Sequence, residues 1–94
     1  MKGYKYDTDK DRWDLLPLEP IKYLVKVLTF GAKKYKPNDW QKVKDGKERY
    51  YAALHRHLAD YRLGEWLDKE SNLPHLAHAL CCIVFIFWLE LKEK

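Results

Sequence analysis

Leu76 to Leu89 (LAHALCCIVFIFWL) is a fourteen-residue apolar run interrupted only by His78. Apolar on nearly every side, it predicts a helix that must be covered all round. It falls short of the roughly 20 residues that span a bilayer, so its expected surroundings are protein and no membrane association is expected. The chain has 94 residues, enough for one small soluble domain. A single core of that size rarely supplies more than about 3–5 kcal/mol. Covering such a helix therefore calls for a partner subunit. The expected fold is all-α: one domain over residues 1–94, a small helical bundle of three to four helices completed by oligomerisation. Fourteen aromatics exclude disorder. Cys81 and Cys82 are adjacent and cannot cross-link distant chain, and the charged opening MKGYKYDTDKDRWD lacks the apolar stretch of a signal peptide. Reduced thiols and a cytoplasmic location are expected.

Residues 1–16 show no period and many charges, which predicts an extended arm ending in a turn before Pro17. A first helix is expected from Glu19-Pro20 to between Gly31 and Tyr35, with Ile21, Leu24, Val25 and Leu28 as its apolar face. Lys33 to Gly46 (KKYKPNDWQKVKDG) reads as a basic loop, turned at Pro37-Asn38-Asp39 and closed by Asp45-Gly46. A second helix from about Lys47 to Leu63 is expected to bury Tyr50, Ala53, Leu54, Leu58 and Tyr61, with Gly64 as its stop. GEWLDKESNLP is expected to form a short helical turn plus loop, and Pro74 to open the last helix, which runs to about Leu91.

The formal charge of +4 divides unevenly. Residues 1–47 hold twelve Lys and Arg against seven Asp and Glu, whereas residues 48–94 hold six against seven. The first part favours an anion, with Lys2, Lys5, Lys92 and Lys94 set aside as solvated surface. The second gathers all four histidines beside Glu65, Asp68 and Glu70, the ligand types of a cation site, and the two parts together suit a metal-bound polyphosphate. His75 and His78, three apart, share one face of the last helix. They enter an apolar core, where a neutral imidazole still has a donor and an acceptor to satisfy. Glu65 and Asp68 are also three apart, and the loop from Lys69 to Leu73 is short enough to bring the two pairs face to face. Glu65, Asp68, His75 and His78 are thus the expected ligands of Mg2+, Mn2+ or a borderline ion. His57 and Asp60 form a third such pair that could reach the same place. His55 falls on another face and reads as surface.

Arg56-His57, then Gly64-Glu65-x-x-Asp68-x-x-Ser71, then His75-Leu76-Ala77-His78-Ala79 resemble the motifs of the phage-associated dATP/dGTP diphosphohydrolase N-terminal family, which is grouped with the all-α, MazG-like nucleoside triphosphate pyrophosphohydrolases. The first half is similar as well: Lys10-x-Arg12 before Leu15-Leu16-Pro17, then Phe30-Gly31-Ala32-x-Lys34-Tyr35 and Asn38-x-Trp40. The resemblance covers residues 9–90. It implies an all-helical fold, assembled as a homodimer or homotetramer, that hydrolyses nucleoside triphosphates, purine deoxynucleotides among them, to monophosphate and pyrophosphate with Mg2+ or Mn2+. MazG-like relatives hold the metal with Glu-x-x-Glu on one helix and Glu-x-x-Asp on the next. Here His75 and His78 stand where carboxylates usually do, and imidazole shifts preference toward Mn2+, Co2+ or Zn2+.

Cleavage between the α and β phosphates requires neutralising the triphosphate, placing a water in line and activating it. Glu65, Asp68 and His57 are the expected catalytic groups. Lys10, Arg12 and Lys34 are expected to receive the pyrophosphate, Arg12 with a bidentate grip. Tyr35 and Trp40 are candidates for stacking on the base and Asn38 for reading a purine edge; Trp40 reads equally well as an anchor packing its loop on the domain. Trp66, Phe85, Phe87 and Trp88 read as core or subunit interface. A nucleotide is the expected partner. Two rival classes are a small basic phage nucleic-acid-binding protein, suggested by the aromatics among the lysines of YKPNDWQKVK, and a helical dimerisation module without activity. The first leaves the histidines unexplained.

Overall fold

Pro17 and Pro20 bracket the start of α1, Leu18–Lys34, where a fixed φ suits the first turn and a missing N–H leaves nothing unsatisfied. A computed structural model describes residue 3 and residues 8–94; residues 1, 2 and 4–7, with Lys2, Lys5 and the start of the expected arm, lie outside them. α2 spans Gly46–Arg62 and α3 spans His75–Glu93. Single 3-10 turns at Trp13–Leu15 and Asp39–Lys42 precede α1 and α2. Among the described residues there is no strand, only an isolated bridge between Leu67 and Pro74.

α2 and α3 form an antiparallel hairpin. At its open end the Lys47 ammonium donates to Glu90 at 2.8 Å and Glu93 at 2.6 Å. At its closed end His57 meets His75. Gly46 is buried at the open end, and a Cβ there would approach Leu89 Cδ1 to 3.2 Å, so the two helices cross closely at this glycine. α1 packs on α3 through a core of Val27, Ala77 and Cys81, flanked by Leu24, Leu28, Leu73 and Phe85.

Several expectations need correction. On α1 Val27 is buried and Val25 exposed, so the packed stripe is 24–27–28 and is rotated from the expected 21–24–25–28. On α2 Leu58 and Tyr61 are exposed. The inward stripe continues from Tyr50, Ala53 and Leu54 to His57, a polar side chain that enters because α3 supplies its partner. GEWLDKESNLP holds no helical turn, only hydrogen-bonded turns and the bridge. α3 also outruns the apolar stretch at both ends: at 19 residues and a mean hydropathy of 1.5 it is long and apolar enough, by length and composition, to cross a membrane. Its first half is packed against α1 and α2, while Ile83, Val84, Phe87 and Leu91 leave an apolar face uncovered within one chain.

Cys81 and Cys82 are buried, and burial pushes their thiols up to about 12 and about 11. The thiolate is the reactive form. In the native chain at neutral pH a disulfide reagent such as DTNB is therefore expected to label neither cysteine, and in denaturant both. Rapid native labelling would contradict this core.

Candidate functional site

Gly64 ends α2 in a left-handed conformation, φ +103°. Its amide donates to the Tyr61 carbonyl at 3.0 Å and the Glu65 amide to the Asp60 carbonyl at 2.9 Å, the paired bonds of a Schellman cap. The cap turns the chain so that Glu65, the next residue, points back at α3. From there the loop is pinned at each step: His75 N–H donates to the Trp66 carbonyl at 3.0 Å, and Asp68 N–H to the Leu73 carbonyl at 2.8 Å. The Asp68 carboxylate accepts the Ser71 amide at 2.9 Å, an Asx-type turn that leaves Asn72 at φ +59°. Turn chemistry therefore sets Glu65, Asp68 and Ser71 opposite the first turn of α3.

The two expected pairs do face each other. His75 Nε2 is 2.7 Å from Glu65 Oε1, and His78 Nε2 is 3.8 Å from Asp68 Oδ2. α2 contributes His57, whose Nδ1 lies 2.8 Å from His75 Nδ1 and whose ring stacks on His78 at 4.6 Å between centroids and 9° between planes. Ser71 Oγ joins the cluster, 2.9 Å from Asp68 Oδ2 and 2.7 Å from His78 Nε2. His75 is 1% exposed. His55 is exposed and packs on Tyr51, as its position on the helix implies.

A cleft of about 1090 Å³ opens between α1, α2, α3 and the basic loop. His57, Asp68 and His78 lie in its wall, as do Lys34, Tyr35, Asn38 and Trp40. Lys10 and Arg12 do not line it; the Arg12 guanidinium pairs instead with nearby Asp14 at 2.8 Å. Lys34 reaches Glu70 at 2.6 Å, bridging the end of α1 to the 65–74 loop. Trp40 stacks on Phe85 at 4.0 Å and 4° and meets Trp88 edge-on at 5.0 Å, while its carbonyl accepts the Tyr50 hydroxyl at 2.7 Å. One indole face is thus taken up by the core, the packing the anchor role requires. Sequence reasoning missed Arg49 and quoted Arg56 only within a motif, without a role, yet both line the cleft and sit seven apart on one α2 face. Counting charge by halves of the chain hid them, although their spacing was visible. Among the described residues, five basic side chains line the cleft, against Asp39, Asp68 and Glu70.

Among the described residues, ligand atoms within 4.8 Å of one another occur in two groups, His57 with Asp68 and His75, and Asp60 with Glu65 and His75. Imidazole mixed with carboxylate is a donor set that fits a borderline divalent ion. Burial, and then the neighbouring imidazoles, push His57 down; burial also lowers His78, against the opposing pull of Asp68. Burial alone would raise Asp68, but the Ser71 amide and hydroxyl, with His78 and His57, outweigh it and leave the carboxyl below its ordinary value. The hydrogen bond from His75 lowers Glu65. Histidines depressed in the folded state bind more protons once unfolded, so stability rises with pH and the loss begins below about 6.5, the unfolded value. Asp68 contributes stability above about 4 that is lost as pH falls through its lower folded value. The unfolding temperature of the metal-free chain is expected to hold level from about pH 8 to 7 and to fall progressively below about 6.5. A rise toward pH 5 would contradict this reading.

Comparison with known proteins agrees with the family resemblance that the motifs carry. The chain is 35% identical over 89 residues to a dATP/dGTP diphosphohydrolase of Salmonella phage PMBT28, an alignment covering 95% of this chain and 30% of that protein. It thus spans under a third of that relative's length. No solved structure matches it. The family described as dATP/dGTP diphosphohydrolase, N-terminal, matches residues 1–94, and the chain belongs to that family.

Proposed function

We propose that this chain holds the metal and phosphate site of a nucleoside triphosphate pyrophosphohydrolase acting on purine deoxynucleoside triphosphates in the cytoplasm. The observation that carries the reading is the meeting, in one cleft, of an imidazole and carboxylate cluster with five basic side chains. The phage relative, a dATP/dGTP diphosphohydrolase, supports the purine preference.

A divalent ion bound at the cluster, Mg2+, Mn2+, or Co2+ or Zn2+ given the imidazoles, supplies charge neutralisation and a more acidic water. Its holders would come from His57, Asp68, His75, His78 and Glu65. Arg49, Arg56 and Lys34 face the cleft where the phosphates lie in this reading, the arginines with two-pronged geometry and Lys34 as a point charge released from Glu70. Tyr35 and Asn38 also line the cleft and would take the base. A homodimer or homotetramer would cover the open face of α3. The exposed Ile83, Val84, Phe87 and Leu91 on that face support such an assembly.

Incubation with each deoxynucleoside and ribonucleoside triphosphate across a panel of divalent ions is expected to release pyrophosphate, fastest with dATP and dGTP. No turnover with any ion, together with salt-sensitive binding of oligonucleotides, would replace this reading with a nucleic-acid-binding one.

A further inference from the structure

Ser71 does not line the cleft, yet it bonds to two residues that do, Asp68 and His78. Its amide and its hydroxyl both lie 2.9 Å from the same carboxylate oxygen, Asp68 Oδ2, and the hydroxyl is also 2.7 Å from His78 Nε2. Asp68, held below its ordinary value against burial by the Ser71 bonds, is ionised and only accepts. The hydroxyl therefore donates its single proton to Asp68 and accepts from His78 Nε2, whether His78 is neutral or charged. It accepts from the Leu73 amide as well, at 3.2 Å. With one bond donated and two accepted, Ser71 Oγ has no capacity left for an ion or a substrate.

Each partner of that hydroxyl is held in a different way. Asp68 is fixed through Oδ2, which leaves Oδ1 without a hydrogen-bond partner among the described residues. His78 is fixed as a ring, lying parallel to His57 at 4.6 Å between centroids and 9° between planes. An imidazole lone pair points within the plane of its own ring, so two rings stacked in parallel cannot aim at one ion. His78 accordingly belongs to neither of the converging groups, whereas His57 and Asp68 converge with His75 to within 4.8 Å. One hydroxyl thus sets Asp68 directly, and His57 through the ring stacked on it.

We infer that Ser71 and His78 are positioning residues for a divalent cation held by the group of His57, Asp68 and His75. Ser71 fixes the Asp68 carboxylate and the His78 ring, and His78 fixes the His57 ring by stacking on it. This rests on the reading that the cluster takes a divalent ion, and it moves His78 out of the set that holds the ion.

Two measurements test it. In the first, Mn2+ alone is titrated into the chain by calorimetry. Ser71→Ala is expected to weaken binding by about 10- to 100-fold, the loss typical of removing a group that orients a metal ligand. Urea unfolding of the metal-free variant is expected to stay near wild type, because the Ser71 amide still holds the Asp68 turn. Ser71→Thr keeps the hydroxyl and is expected to bind Mn2+ like the wild-type chain. A role confined to the stability of the loop would shift unfolding and leave affinity unchanged, so wild-type affinity in a folded Ser71→Ala variant would overturn the inference. The second measurement needs no variant and decides the matter even if Ser71→Ala does not fold. Imidazole 15N spectra of the wild-type chain with and without Zn2+ are expected to show a His57 nitrogen becoming metal-bound, while His78 keeps its Nε2 proton and coordinates through neither nitrogen. Zn2+ bound to His78, or absent from His57, would overturn the inference while leaving a metal in the cluster. No binding of either ion to the wild-type chain would overturn the inference and the proposed metal site together.

Discussion

Replacing Phe85 by alanine is expected to destabilise the chain by about 3 kcal/mol, the lower part of the range for buried aromatics because Phe85 is only partly buried. The domain as a whole holds on the order of 3–5 kcal/mol, so most molecules would be unfolded or close to it. The effect is large because one ring joins three elements. It stacks on Trp40 from the basic loop, meets Tyr50 of α2 edge-on at 5.1 Å and 65°, and borders the Val27, Ala77 and Cys81 core that holds α1. Each aromatic contact adds about 0.5–1.5 kcal/mol beyond the area buried. Urea unfolding followed by circular dichroism measures the loss, with Phe85→Leu as the milder control. A drop below about 1 kcal/mol for Phe85→Ala would show that the basic loop is not tied down through this residue.

Asp68→Asn is expected to lower pyrophosphate release by about 100-fold, the upper end of what is lost when a metal site is perturbed, while unfolding stays near wild type. The substitution is nearly isosteric. An amide oxygen can still accept the Ser71 amide and hydroxyl, so the loop keeps its turn. The other oxygen becomes an NH2 group, a donor that carries no charge and cannot ligate a cation. A variant that folds normally and turns over dATP at the wild-type rate would remove Asp68 from the chemistry.

Much of this architecture was legible in the residues because local rules and tertiary packing agree. The two prolines at the start of α1, Gly64 after α2 and Pro74 before α3 each mark a boundary the structure places within one or two residues. The convergence of Glu65 and Asp68 with His75 and His78 followed from two three-residue spacings joined by a short loop. What was not legible depends on which way a helix rolls. Helical period places Leu58 and His57 side by side and cannot say which turns inward, since a histidine belongs inside only once His75 provides its partner. The same rotation exposed Val25 and buried Val27. Ser71 stood within a quoted motif, but its role emerges only when Asp68 and His78 are seen to share one hydroxyl. Arg12 was credited with reach toward phosphate, yet an acidic neighbour two residues on engages it.

The cap at Gly64 and the pinned loop behind it bear on how the molecule comes together in time. His57, Glu65, Asp68, Ser71, His75 and His78 all fall within twenty-two consecutive residues, so assembling the cluster closes one short loop and awaits no distant segment. Entropy charges little for so local an event, and structures rich in such contacts form fastest. The α2–α3 hairpin, with its imidazoles already stacked, is then the natural first product of folding. α1 and the basic loop are expected to pack afterwards, closing over an imidazole and carboxylate cluster that forms before the cleft does.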